Sequence, residues 1–137
     1  MFKIENLKYK NILDIKNLEI RPNIVTTIVG KSGSGKTTLL KLLNKLISPE
    51  SGKVYYLGND LEQVDSIAHR REVVMLSQTP VVFDGSVKDN LLIGLDFSEK
   101  PHPSDDKLIE VLHKVHLNLS LSADADKLSG GEKQRLS

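Results

Sequence analysis

The stretch IVGKSGSGKTTLL, residues 28–40, places three glycines and two serines between a β-branched run and a leucine-rich one. Gly30, Lys31, Ser32, Gly33, Ser34, Gly35, Lys36 and Thr37 fit the pattern G-x-x-x-x-G-K-[ST] without a mismatch. Glycines at this spacing let the backbone wrap closely and take positive φ, so that successive N–H groups converge on the oxygens of an anion. A helix beginning near Lys36 adds its positive dipole end, worth ~0.3–1 kcal/mol per favourable charge. The Lys36 ammonium suits β- and γ-phosphates, the Thr37 hydroxyl suits a magnesium ion, and Thr38 adds a second hydroxyl beside it. The stretch predicts a loop for the phosphates of ATP or GTP. A glycine-serine turn that matches by chance is the competing reading. It accounts less well for a buried-type strand before the loop and an amphipathic helix after it.

Working outward, FKIENL (2–7) and ILDIKNLEI (12–20) alternate apolar and polar positions and predict two half-buried antiparallel strands. IVTTIV (24–29) reads as a strand buried on both faces. Leucines at 39, 40, 42, 43 and 46 predict a helix from Lys36 to Ile47. SPESG (48–52) stops it and leads into a short strand, KVYYLG, followed by a GND turn. A helix is expected over 61–71 and another β-rich run from Val73 to Leu76. Beyond a loop at 78–86, Ser86 caps a helix through Ile93, and Ser104 caps one reaching about His116. The order of these runs argues for an α/β fold with an antiparallel β accessory.

Nineteen basic against eighteen acidic residues give a formal charge of +1, which gives no reason to expect nucleic acid as a partner. The absence of cysteine excludes disulfides and thiol chemistry and fits a reducing compartment. No apolar run approaches the ~20 residues of a membrane-spanning helix, and the polar start is unlike a signal peptide. The chain is expected to be soluble and intracellular.

LSGGEKQRLS, residues 128–137, narrows the class. Ser129 with Glu132 three residues on is a capping box, which explains the serine and the glutamate. It does not explain Gly130 and Gly131, each of which weakens a first helical turn by ~1 kcal/mol relative to alanine. Exposed N–H groups with a free Ser129 hydroxyl would suit an anion arriving from outside. With this motif the sequence resembles the ATP-binding-cassette (ABC) ATPases: Leu128 to Glu132 match the family's signature, and Gln134 and Arg135 match the residues that usually follow. The resemblance covers essentially the whole chain. It implies that Ser129, Gly130, Gly131 and Glu132 bind the γ-phosphate of ATP held by a second cassette, two cassettes sandwiching two nucleotides.

Other positions agree with the resemblance. Gln78 stands where the family has a glutamine that contacts magnesium and the attacking water, which makes it, with Lys36, a catalytic candidate and, with Thr37, a metal candidate. TPVVFDGSVKDNLL (79–92) is similar to the segment that faces the membrane partner in transporters. Tyr9, 21 residues before Gly30, stands where the family places an aromatic that stacks on adenine; an ordinary strand-end tyrosine is the alternative. Within the family the closest likeness is to small bacterial ATPases of metal or iron export. Asn23 departs from a glycine common before the phosphate-loop strand, a change expected to affect only a turn.

The larger departure is the lack of a matching strand that ends in a magnesium-holding Asp and a catalytic Glu, and of a switch His. Glu132 belongs to the signature, and His69, His102, His113 and His116 read as surface or partly buried residues. His113, His116 and Glu110 have a permissive metal spacing, for which an ordinary helix is the better account. The expectation is therefore a single, C-terminally truncated ABC-type P-loop domain. Residues 1–77 form its core with the β accessory, and residues 78–137 its helical subdomain. The parent is expected to be an ATPase subunit coupling MgATP binding and hydrolysis to transport. Its partners would be a second cassette and a transmembrane permease that holds it at the inner face of the cell membrane. A soluble ATPase acting on DNA or ribosomes, and a fragment that binds nucleotide without turnover, are the alternatives.

Overall fold

The computed structural model describes all 137 residues. They form two compact units, Met1–Met75 and Leu76–Ser137. No helix is long and apolar enough to cross a membrane.

The first unit is a four-stranded antiparallel sheet with helices. Its strands are β1 (Phe2–Tyr9), β2 (Leu13–Ile20), β3 (Ser51–Tyr56) and β4 (Asn59–Asp60), in the order β2-β1-β3-β4. The alternation in the sequence is interrupted once in β1 and once in β2. Phe2, Ile4, Leu7 and Tyr9 of β1, with Leu13, Ile15, Leu18 and Ile20 of β2, all pack on one core, although the steps from Ile4 to Leu7 and from Ile15 to Leu18, which face each other across the ladder, are odd. Asn6 takes φ 49, and the β1–β3 register shifts between Glu5 and Lys8. A bulge there returns the apolar set to the same face. Helix α1 (Lys36–Leu43) lays Leu39, Leu42 and Leu43 against Ile4, Leu7, Val54 and Leu61.

Helix α1 ends sooner than the leucine spacing predicts. Lys45 takes φ 55, its N–H reaches the Leu42 carbonyl at 3.1 Å, and Leu46 N–H reaches Lys41 at 2.9 Å. This is a Schellman ending with lysine where glycine is usual. The Lys45 ammonium, bound to the Val64 carbonyl, helps hold it. Helix α2 (Ser66–Glu72) is capped by Asp65 and seals the exposed carbonyls of α1. His69 Nε2 lies 2.8 Å from Leu43 O, and Arg70 donates to Lys45 O at 3.2 Å. Asn44 donates its amide to Val73 O. His69, expected to be exposed or partly buried, is only 2% exposed, because Tyr56 and Phe2 enclose its ring edge-on at centroid distances of 5.2 and 6.3 Å.

Two expected strands are not formed. Residues 24–29 and 73–76 belong to no sheet, and Val25 and Val74 are 96% and 82% exposed. Their β-branched composition is that of strands flanked on both sides, and none of the 137 residues pairs with them as a neighbouring strand. Asn23, in the turn before the first of them, takes φ 59. Asparagine tolerates that left-handed conformation, which accounts for its standing where the family favours glycine.

The second unit is helical: α3 (Val87–Phe97), α4 (Asp105–Lys114) and α5 (Gly130–Leu136), with a 3-10 turn at Ala125–Lys127. Val87, Leu112, Leu117, Ala125 and Leu136 form its core. Ser86 caps α3 through a full capping box with Asp89, and the helix runs four residues past the expected Ile93. Val87 N–H bonds to Ala123 O and Ala125 N–H to Gly85 O, each at 2.9 Å, pinning the start of α3 to the segment that leads into α5. Helix α4 ends as α1 does, with His116 at φ 55 and Leu117 N–H on Leu112 O at 2.9 Å.

Candidate functional site

Residues 30–38 leave an irregular segment and enter α1 as one tight loop. Gly33 and Gly35 take φ 78 and 85, and Gly35 is the left-handed N-cap residue of α1. A side chain at either position would strain the turn. Ser34 N–H closes the loop on Lys31 O at 3.2 Å, and Leu39 N–H bonds Gly35 O at 2.8 Å as α1 begins. The Lys36 ammonium folds back on the loop, donating to the carbonyls of Gly30 and Lys31, both at 2.8 Å. The cation predicted to meet phosphate is thus held at the loop by two neutral acceptors. Lys31, Ser32, Gly33, Ser34 and Thr37 are exposed and Thr38 half-buried, so the polar groups of the loop are open to a ligand.

Gly35 itself is buried, and the sequence does not show by what. A Cβ built on it would lie 2.6 Å from Leu13 Cδ2 and 3.0 Å from Ile12 Cγ2. The turn between β1 and β2 therefore sits against the phosphate loop. Tyr9, half-buried at the end of β1, is the ladder partner of Leu13, so the structure brings the hairpin that carries Tyr9 to the loop. Lys10 Nζ lies 5.5 Å from the Tyr9 ring centroid, and Lys10 N–H bonds Glu50 Oε2 at 3.0 Å, which fixes the hairpin tip.

The remaining candidates belong to the second unit. Gln78 is exposed in the loop before α3. At the start of α5, Ser129 Oγ accepts from Glu132 N–H at 3.4 Å and donates to Glu132 Oε2 at 2.6 Å, while Ser129 N–H donates to the same carboxylate oxygen at 2.8 Å. The capping box is complete, so the hydroxyl expected to be free is engaged. These hydrogen bonds from the Ser129 hydroxyl, then its backbone, hold the Glu132 carboxyl below its ordinary value. The glycine pair behaves otherwise. A Cβ on Gly130 would meet nothing within 4 Å, and one on Gly131 would meet only Arg135 Nη1 at 3.8 Å. Neither packing nor a left-handed backbone calls for glycine at these two positions, which leaves the helix start open to close approach from outside.

The Glu110 carboxylate is taken by Lys107 and Lys114, each at 2.7 Å, which lower its pKa to about 2. It is a surface ion-pair centre. A further feature escaped the sequence. Asn90 clamps the loop before α3, accepting from Phe83 N–H at 2.7 Å and donating to Phe83 O at 2.8 Å. The Phe83 ring meets Phe97 edge-on at 6.3 Å, and Phe97 is 68% exposed.

An antiparallel sheet packed on the helix that follows a complete phosphate loop, together with a helical unit ending in a capped glycine pair, defines an ATP-binding domain of the cassette type. Residues 13–137 match the family described as ABC transporter, and the chain belongs to it. Among its relatives, the lactococcin-A transport/processing ATP-binding protein LcnC of Lactococcus lactis subsp. lactis is 37% identical over 138 residues, covering 93% of this chain and 19% of the relative. The mycobactin import ATP-binding/permease protein IrtB of Mycolicibacterium thermoresistibile is 38% identical over 135 residues, with 92% and 23% covered. A bacterial Atm1-family ABC exporter, solved with ATP bound, shares the fold with a TM-score of 0.85 at 24% identity, over 98% of this chain and 26% of its own. The chain thus spans about a fifth of the length of these two curated relatives.

Proposed function

We propose that this chain binds MgATP at residues 30–38 and that, in the whole protein, ATP binding and hydrolysis drive transport across a membrane. One observation carries the reading. The loop is shaped by two left-handed glycines at the start of α1, with the Lys36 ammonium already at its carbonyls. An incoming triphosphate offers that ammonium charged acceptors, which bind it more strongly than neutral carbonyls do. In this reading Lys36 and the loop amides would take the phosphates, Thr37 the magnesium ion and Tyr9 the base, and Gln78 is assigned to magnesium by the family resemblance alone. Ser129, Gly130, Gly131 and Glu132 would meet the nucleotide of a second cassette, and the uncrowded Gly130 and Gly131 support that role.

Exposed Phe97 and Phe83, the latter held at its backbone by Asn90, support docking of this unit on a transmembrane permease, which would keep the chain at the cytoplasmic face. The relatives' names mention different cargoes, lactococcin-A and mycobactin, and cargo choice is assigned to the membrane-embedded part. Metal or iron export belongs to the same proposal. The exposed runs 24–29 and 73–76 would pair with a strand supplied from outside these residues, bringing the magnesium-holding Asp and the catalytic Glu. Without that carboxylate the 137 residues hold MgATP and do not turn it over. A phosphate-release assay tests this: the 137-residue chain should show no release above that of Lys36→Ala. Release that depends on Lys36 would contradict it.

A further inference from the structure

The β1–β2 hairpin meets the phosphate loop at Gly35. That glycine takes φ 85 and ψ 8 and has no side chain with which to cap α1. Its α-carbon is backed by aliphatic carbon: a Cβ there would stand 2.6 Å from Leu13 Cδ2, 3.0 Å from Ile12 Cγ2 and 3.2 Å from Leu13 Cγ, so that Leu13 makes the nearest contact. The exposed part of the loop, residues 31–34, is tied within itself through Lys31 O. Leu13 belongs to the sheet core and pairs directly across the ladder with Tyr9. The Leu13 side chain, packed against the sheet core opposite Tyr9, therefore reaches the left-handed turn that opens α1.

We infer that Leu13 is a positioning residue for the phosphate loop: by filling the space behind Gly35 it holds the loop in its phosphate-binding shape. The inference rests on the nucleotide reading above and adds to it a part played by the hairpin. A packed aliphatic side chain behind a glycine transmits position because interiors at native density have no slack to absorb its loss. It follows that Leu13 should matter for a bare phosphate chain as well as for ATP, since the strut acts on the loop rather than on the base.

The test is calorimetric titration of the 137-residue chain with magnesium tripolyphosphate, which has no base, and with MgATP. Leu13→Ala should weaken both by roughly five- to tenfold, the scale of coupling between residues in contact. Leu13→Val, which keeps a strand-forming residue but lacks the δ-methyl that meets Gly35, should fall between and covers the case in which the alanine variant unfolds. A third readout is one that general destabilisation would not produce. Gly35→Ala drives a methyl into Leu13, so adding Leu13→Ala or Leu13→Val to it should recover part of the lost affinity. Wild-type affinity for tripolyphosphate in folded Leu13→Ala or Leu13→Val, or simple additivity with Gly35→Ala, would overturn the inference and leave the nucleotide reading standing. If the unsubstituted chain binds neither ligand, the nucleotide reading itself fails, and this inference with it.

Discussion

His69 shows how much one residue can do in a place the sequence does not announce. Its spacing from other histidines suggests nothing, yet its ring is buried between Tyr56 and Phe2 and reaches the last turn of α1 through Leu43 O. The phosphate loop starts that same helix, so His69 closes one end of the element whose other end meets nucleotide. His69→Ala removes a buried ring and leaves a helix-terminal carbonyl without its partner, a loss of about 2–4 kcal/mol. Chemical denaturation should show a lower midpoint with an unchanged slope. An unchanged midpoint would mean that neither the buried ring nor its hydrogen bond to Leu43 O contributes to stability.

The helix ends are where sequence and structure part at the level of elements. Ser86 and Ser129 are legible as caps because a hydroxyl followed three residues later by a carboxylate is a local arrangement, and both form complete capping boxes. The ends of α1 and α4 are not legible, because Lys45 and His116 take the left-handed position that glycine usually marks. The box at Ser129 also has a pH signature. Glu132 titrates below its ordinary value of 4.5 in the folded chain, so its contribution is present above that value and is lost as pH falls through the lower folded pKa. The amide resonances of Ser129 and Glu132 should stay constant above about pH 5 and move together only below 4.5. A shared midpoint at or above 4.5 would show that the box does not hold in solution.

Across the whole molecule, legibility follows the range of the interactions. The phosphate loop is local, and its motif, its glycines and the helix behind it could be read residue by residue. The antiparallel strands were legible from alternation, although the bulge at Asn6 was not, because it depends on the β1–β3 register. Residues 24–29 read as a buried strand and 73–76 as a β-rich run from their composition, but strand formation needs a paired neighbour, and the structure leaves both outside any sheet. The contact of Leu13 with Gly35 spans 22 positions and carries no composition signal, so only the structure reveals it.

The claim on which the rest depends is that the loop at 30–38 binds MgATP as the structure presents it. Titrating the 137-residue chain and its Lys36→Ala variant with MgATP in a calorimeter tests this directly. The account predicts binding by the first and a loss of about tenfold or more in the second, the cost of removing a charge-assisted hydrogen-bond donor. Equal affinity in the two, or no heat from either, would contradict it.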